Sequence, residues 1–165
     1  MSEALLKNQA LATQYLQRFR EQTTGHFIQG EWLVPTGAET FKNLTPIDNS
    51  SLGQVVAGSK ADADQACEAA QAAFPAWRDL AGSERRKILH KFADLLVARA
   101  EEIALVESSD CGQPVRFMKQ AALRGAENFR FFADKAVEAK DGLALMQAEH
   151  TNFTVRSPLG PVAVI

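Results

Sequence analysis

The sequence has only two cysteines, Cys67 and Cys111, far apart and without CxxC spacing. That excludes a disulfide framework or a zinc knuckle and suits a reducing compartment. Its three histidines, His26, His90 and His150, are equally scattered, and none stands at i, i+4 from another His or Cys, so these side chains predict no metal site. No apolar run approaches the ~20 residues needed to cross a bilayer. The N-terminus lacks a basic-then-apolar signal pattern, and although residues 1 to 24 are poor in acids like a mitochondrial presequence, Glu3 and the sparse arginines argue against one. A formal charge of -2, with Lys and Arg interleaved among Asp and Glu, leaves no basic footprint for nucleic acid. Neither GxGxxG after a strand nor GxxxxGK[ST] occurs, so no phosphate cradle is visible. A cytoplasmic protein without nucleic-acid or membrane partners is expected.

What is present suits one ordinary soluble domain: 165 residues, 46% hydrophobic and 23% charged, with no repeat or flexible linker. Leu5, Leu11, Ala12, Tyr15, Leu16 and Phe19 predict an amphipathic helix within 1–25. Residues 26–58 read as short hairpins, with Gln29-Gly30-Glu31 as a turn between His26-Phe27-Ile28 and Trp32-Leu33-Val34. At Ser59 the period changes. Ser59-Lys60-Ala61-Asp62 has the form of a capping box, opening a helical region over 59–140, with the first helix ending at Pro75. Ile88, Leu89, Phe92, Leu95 and Leu96 make an apolar helical stripe, Gly112 supplies a stop, and Pro114 starts a long helix with Val115, Met118, Ala122, Ala126, Phe129, Phe132 and Ala136 on one side. Over 151–165, Asn152 to Arg156 alternates as a half-exposed strand, and Gly160-Pro161 leads into the apolar run Val162 to Ile165. Such a run reads as a strand buried on both faces of a parallel sheet, whose other members lie elsewhere, so a fragment of a larger protein is expected.

Few residues stand out as chemical groups. Cys67, within an Ala-rich helix, reads as packing, and Cys111, at a helix end beside Asp110, is poorly placed for a nucleophile. Glu101-Glu102 and Asp62/Asp64 fall on faces that read as solvated. The residues by themselves supply no self-sufficient catalytic constellation.

Their order says more. Phe27-Ile28-x-Gly30-Glu31-Trp32, Asn43-x-Thr45-Pro46, Ala66-x-x-Ala69-Ala70-x-x-Ala73-Phe74-x-x-Trp77, Ala93-Asp94-Leu95-Leu96, Glu107-x-x-Asp110-x-Gly112-Gln113-Pro114, Phe131-Phe132-Ala133-Asp134 and Pro158-Leu159-Gly160-Pro161-Val162 follow one another. This succession resembles the N-terminal part of the aldehyde dehydrogenase superfamily, from Phe27 to Ile165. The neighbourhood Leu123-Arg124-Gly125-Ala126-Glu127-Asn128-Phe129 is similar to the hydroxymuconic semialdehyde branch. The resemblance implies an α/β fold: an N-terminal helix, short β-hairpins, a four-helix region and the start of a parallel dinucleotide-binding sheet. It also implies NAD(P)-dependent oxidation of an aldehyde to an acid by a full-length parent, with homodimers or homotetramers as the assembly. In that reaction a cysteine thiolate attacks the carbonyl, hydride passes to the nicotinamide, and a glutamate activates the water that releases the acid. Both catalytic residues are expected outside this segment. A non-catalytic α/β scaffold or oligomerisation module is the alternative.

Three contributions carry over to residues of this chain. Arg124, with Asn128 and Phe131, matches the helix that lines the substrate tunnel, where an arginine faces a substrate carboxylate. Phe129 and Phe132 share the main apolar face and read as core. Asn43, Leu44 and Asp110 match positions that hold a structural monovalent cation, against the plainer reading of Asp110 as a helix-end polar residue. Ile165 falls where the backbone first approaches the adenosine half of NAD or NADP. The isolated chain is expected to show no NAD(P)-dependent aldehyde oxidation in a coupled absorbance assay, and measurable turnover would overturn this placement of the chemistry.

Overall fold

The computed structural model describes residues 3–138 and 144–164. Helix α1 (Glu3–Glu21) is followed by two hairpins, β1 (His26–Ile28) with β2 (Glu31–Leu33) and β3 (Thr40–Leu44) with β4 (Ser51–Val56). Helices α2 (Lys60–Asp79), α3 (Gly82–Ala98), α4 (Ala100–Cys111) and α5 (Val115–Glu138) come next, then β5 (Ala144–Met146) and β6 (Thr151–Phe153). The sheets among the described residues are three antiparallel pairs, β1–β2, β3–β4 and β5–β6.

Local chemistry explains the element boundaries. Gln29 and Gly30 take positive φ, 59° and 86°, as a two-residue primed turn requires between paired strands. Ser59 accepts from the Asp62 amide while the Asp62 carboxylate accepts from the Ser59 amide, so the capping box at the start of α2 is complete. α4 ends on Gly112 in the left-handed conformation.

The helical core is built from small residues. Ala93 of α3, Ala104 of α4 and Ala126 and Ala133 of α5 are all 0% exposed. α3 and α5 run antiparallel, Arg86 and His90 meeting Asp134 while Asp94 meets Arg130. At one end of the seam a Cβ added at Gly82 would lie 2.5 Å from the Ala136 carbonyl oxygen, so the absence of a side chain permits the approach. The ion pairs along the flank are exposed and individually weak. They nonetheless define register, since Asp134 accepts from His90 Nε2 at 2.9 Å and pairs with Arg86 Nε at 2.8 Å. The His90 hydrogen bond, then the Arg86 charge, hold the Asp134 carboxyl below its ordinary value. Because the folded value is the lower one, this contribution is fully present above the ordinary carboxylate range and is lost as pH falls through the lowered value.

A second, smaller core joins α1 to the β3–β4 hairpin and α4. Leu16, Leu52, Val56 and Leu105 are buried there. Gly53, at φ 137°, lies so close to α1 that an added Cβ would stand 1.9 Å from the Phe19 carbonyl oxygen.

Several sequence expectations need correction. α2 continues through Pro75 to Asp79: Pro75 and Gln71 are both exposed, so water can satisfy the i−4 carbonyl that a proline leaves unbonded. Cys67 is exposed rather than packed, because α2 buries none of its residues. Ile88, Phe92 and Leu95 are 43–53% exposed, and the inward centre of α3 is Ala93. Phe132 is 66% exposed, more than Phe131 at 57%, so it is not core, and Phe129, at 40%, lies at the edge with its ring against Phe92. Glu102 is not merely solvated, since Arg18 and Arg99 both reach it. The expected strand over 162–165 has no ladder partner over its described part, Val162 and Val164 being 91% and 97% exposed, and β6 stops at Phe153. A strand needs a neighbour to satisfy its backbone groups, and no described strand lies beside this run.

A larger side chain in the alanine seam should force α3 and α5 apart. Ala126→Leu is expected to lower unfolding stability by about 1–3 kcal/mol in urea titrations, and an unchanged midpoint would show that the seam has room.

Candidate functional site

α5 places Arg124, Asn128 and Phe131 at i, i+4 and i+7, a spacing that aligns side chains on one helical face. Ala126 and Ala133 face the core, so this stripe is turned away from the α3 seam, and all three residues are exposed. Arg124 and Phe131 are separated by about 10 Å along the axis. The same face continues in both directions to residues that spacing could have found but that were not singled out. Phe117, 48% exposed, lies two turns before Arg124, and Lys135 lies one turn beyond Phe131, its Nζ 6.0 Å from that ring. Phe132 meets Phe131 edge-on at 5.2 Å. Among the described residues Arg124 has no ion-pair partner, whereas Arg130 of the same helix reaches both Asp94 and Glu127 at 2.7 Å. A guanidinium without a carboxylate partner, flanked by a side-chain amide and aromatic rings, can take an elongated anion lengthwise.

The second group assembles across 67 residues of sequence. Asn43 of β3 donates from Nδ2 to Asp110 Oδ1 of α4 at 2.6 Å. Register shifts between Asn43 and Leu44, a bulge that turns the two neighbours apart. Asn43 and Asp110 line a cavity of about 200 Å³ with Leu16, Phe19, Val106 and Glu107, while Leu44 is exposed and outside it. Glu107, one turn before Asp110, adds a second carboxylate that the sequence reading passed over. An acid pair with an apolar floor is a setting for one small cation or its hydration water. Among the described residues no group of three or more His, Cys, Asp and Glu could hold a metal ion. Ile165 lies outside the described residues.

One further polar cluster joins β1 to α2. His26 Nε2 lies 3.5 Å from Asp62 Oδ2, with no hydrogen-bond partner, and Ser59 Oγ donates to the same oxygen at 2.7 Å. The Ser59 amide and hydroxyl, chiefly, hold the Asp62 carboxyl below its ordinary value, as an N-cap anion should be held. This cluster closes a helix terminus.

The aldehyde dehydrogenase family model matches residues 32–165. The chain belongs to the aldehyde dehydrogenase family. It is similar to aldehyde dehydrogenase 1 of Tanacetum cinerariifolium, 36% identical over 142 residues, which make up 84% of this chain and 28% of that protein. Among solved structures it is similar to HpcC from Thermus thermophilus, with a TM-score of 0.81 and 32% identity over 85% of this chain and 27% of that one. A structure of PnpE in complex with nicotinamide adenine dinucleotide gives a TM-score of 0.74 and 31% identity, over 80% of this chain and 27% of that one. The chain therefore spans less than a third of these aldehyde dehydrogenase relatives, and what it shares with them is the N-terminal part of the fold. Among the described residues no helix is long and apolar enough to cross a membrane.

Proposed function

We propose that this chain supplies the framework and part of the substrate tunnel of an NAD- or NADP-dependent aldehyde dehydrogenase that oxidises a carboxylated semialdehyde, of the hydroxymuconic type, to the acid. The observation that supports this substrate class is Arg124, exposed and without an ion-pair partner on a face shared with Asn128 and Phe131. Its planar fork pairs bidentately with a carboxylate, the Asn128 amide adds a donor and an acceptor, and the Phe131 ring gives a conjugated chain an apolar wall. Charge-assisted hydrogen bonds of this kind are worth about 1.5–3 kcal/mol, or on the order of ten- to a hundredfold in selectivity. The nicotinamide supplies the hydride acceptor when bound. The described residues offer it no phosphate-binding loop, and the contact assigned to this chain is the one at Ile165. The catalytic cysteine and glutamate belong to the remainder of the enzyme.

Two structural roles accompany this reading. Asn43, Leu44 and Asp110 hold a monovalent cation, Asp110 through its carboxylate and the β3 residues through backbone carbonyls, with the Asn43 amide orienting Asp110. Phe153 of β6 and Val155 just beyond it, 70% and 65% exposed, enter the subunit contact of a cytoplasmic homodimer or homotetramer. That exposure also favours the second reading, an assembly module without catalysis of its own.

In the full-length enzyme carrying this segment, Arg124→Ala is expected to raise KM for a carboxylated semialdehyde by about ten- to a hundredfold and to leave a neutral aldehyde unchanged. Equal losses on both substrates would remove Arg124 from the pocket. For the cation, Tm measured in potassium chloride should exceed that in choline chloride at equal ionic strength, and Asp110→Ala should abolish the difference. A Tm indifferent to potassium would speak against the site.

A further inference from the structure

We propose that the C-terminal half of α1 is a lid on the Asn43–Asp110 cavity, so that docking of this helix and retention of a cation there depend on each other. The inference rests on the cation role assigned above and adds α1, which contributes none of the proposed ligands. One stripe of the helix turns inward: Ala12, Tyr15 and Phe19 are half-buried and Leu16 is 5% exposed, at the i, i+3, i+4 and i+7 spacing of a single face. Leu16 and Phe19 from that stripe form a wall of the cavity of about 200 Å³ that Asn43, Glu107 and Asp110 also line.

Docked α1 is held at few places. Its backbone reaches Gly53 of β4, where an added Cβ would stand 1.9 Å from the Phe19 carbonyl oxygen, and Arg18 reaches Glu102 of α4 at 3.2 Å. Just past the helix, the Thr24 amide donates to the Gln54 carbonyl at 2.8 Å and the Val56 amide donates to the Thr24 carbonyl at 2.9 Å, which ties the following chain to β4. The hold on the helix itself is slighter. Leu16 is its one buried residue, and the Arg18 side chain is 55% exposed, so that ion pair adds little. An element held in this way opens at a lower free energy than the core, pivoting on the residues tied to β4.

Lifting α1 takes Leu16 and Phe19 off the cavity and admits water. The attraction of Asp110 and Glu107 for a cation then falls, because the effective dielectric constant rises toward that of bulk water. Without a cation, these two carboxylates are like charges one turn apart beneath an apolar cover, which disfavours the docked state. Linkage makes the effect reciprocal: whatever factor α1 adds to cation affinity, the cation adds to docking of α1.

The test measures hydrogen exchange of the full-length enzyme in potassium chloride and in choline chloride at equal ionic strength. Potassium should slow exchange of the α1 amides by about fivefold or more, the low end of a typical coupling between sites, and leave the α3–α5 seam unchanged. In Leu16→Ala the potassium effect on Tm should be lost although Asn43, Glu107 and Asp110 are intact, whereas Leu6→Ala, at a residue 51% exposed on the same helix, should keep it. Should Leu16→Ala not fold, the wild-type exchange decides. Exchange in α1 that ignores potassium or slows only as much as the seam, or a full potassium response in Leu16→Ala, overturns the lid and leaves the cation assignment standing. A wild-type Tm indifferent to potassium removes both.

Discussion

Close approach of α3 to α5 through alanine is the constraint on which the rest of the helical region depends. Ala93, Ala126 and Ala133 are wholly buried, and Gly82 lets the α3 backbone reach the Ala136 carbonyl. Among the described residues no large side chain is wholly buried in this seam, so its centre is held by dispersion contacts between closely spaced backbones and methyl groups, with the Phe92 and Phe129 rings at its edge. The exposed ion pairs along the flank add little energy, but they select one antiparallel register.

That seam determines what α5 can present. With one side committed to α3 and α4, the opposite side carries Phe117, Arg124, Asn128, Phe131 and Lys135, all exposed. Charge is distributed along the same helix in two halves. The half bearing Arg130, Asp134 and Lys135 is compensated, largely from α3, whereas among the described residues Arg116, Lys119 and Arg124 have no ion-pair partner.

The second packing centre brings α1, the β3–β4 hairpin and α4 together. Gly53 allows β4 to touch the end of α1, the bulge at Asn43 turns that side chain toward α4, and Asp110 receives its amide proton. Each step is local, yet the pairing of Asn43 with Asp110, beside Glu107 in the same cavity, exists only after these elements have docked.

Much of this was legible in the residues. The Ser59–Asp62 box, the Gln29-Gly30 turn, the Gly112 stop and the alignment of Arg124, Asn128 and Phe131 follow from contacts within one or two turns of chain, which short-range chemistry specifies. Burial was less legible. The large apolar residues Ile88, Phe92, Leu95 and Phe132 read as core, but size and hydropathy do not say which flank of an apolar stripe meets a neighbour. The alanines that occupy the centre leave only a faint mark in any hydrophobic pattern. The continuation of α2 through Pro75 depended on which side of the helix faced water. The sequence by itself determined where helices and turns form and which side chains share a face. Only the tertiary structure decided which face is buried, which cations go unpaired and that Asn43 meets Asp110, because these depend on packing between elements far apart in the chain.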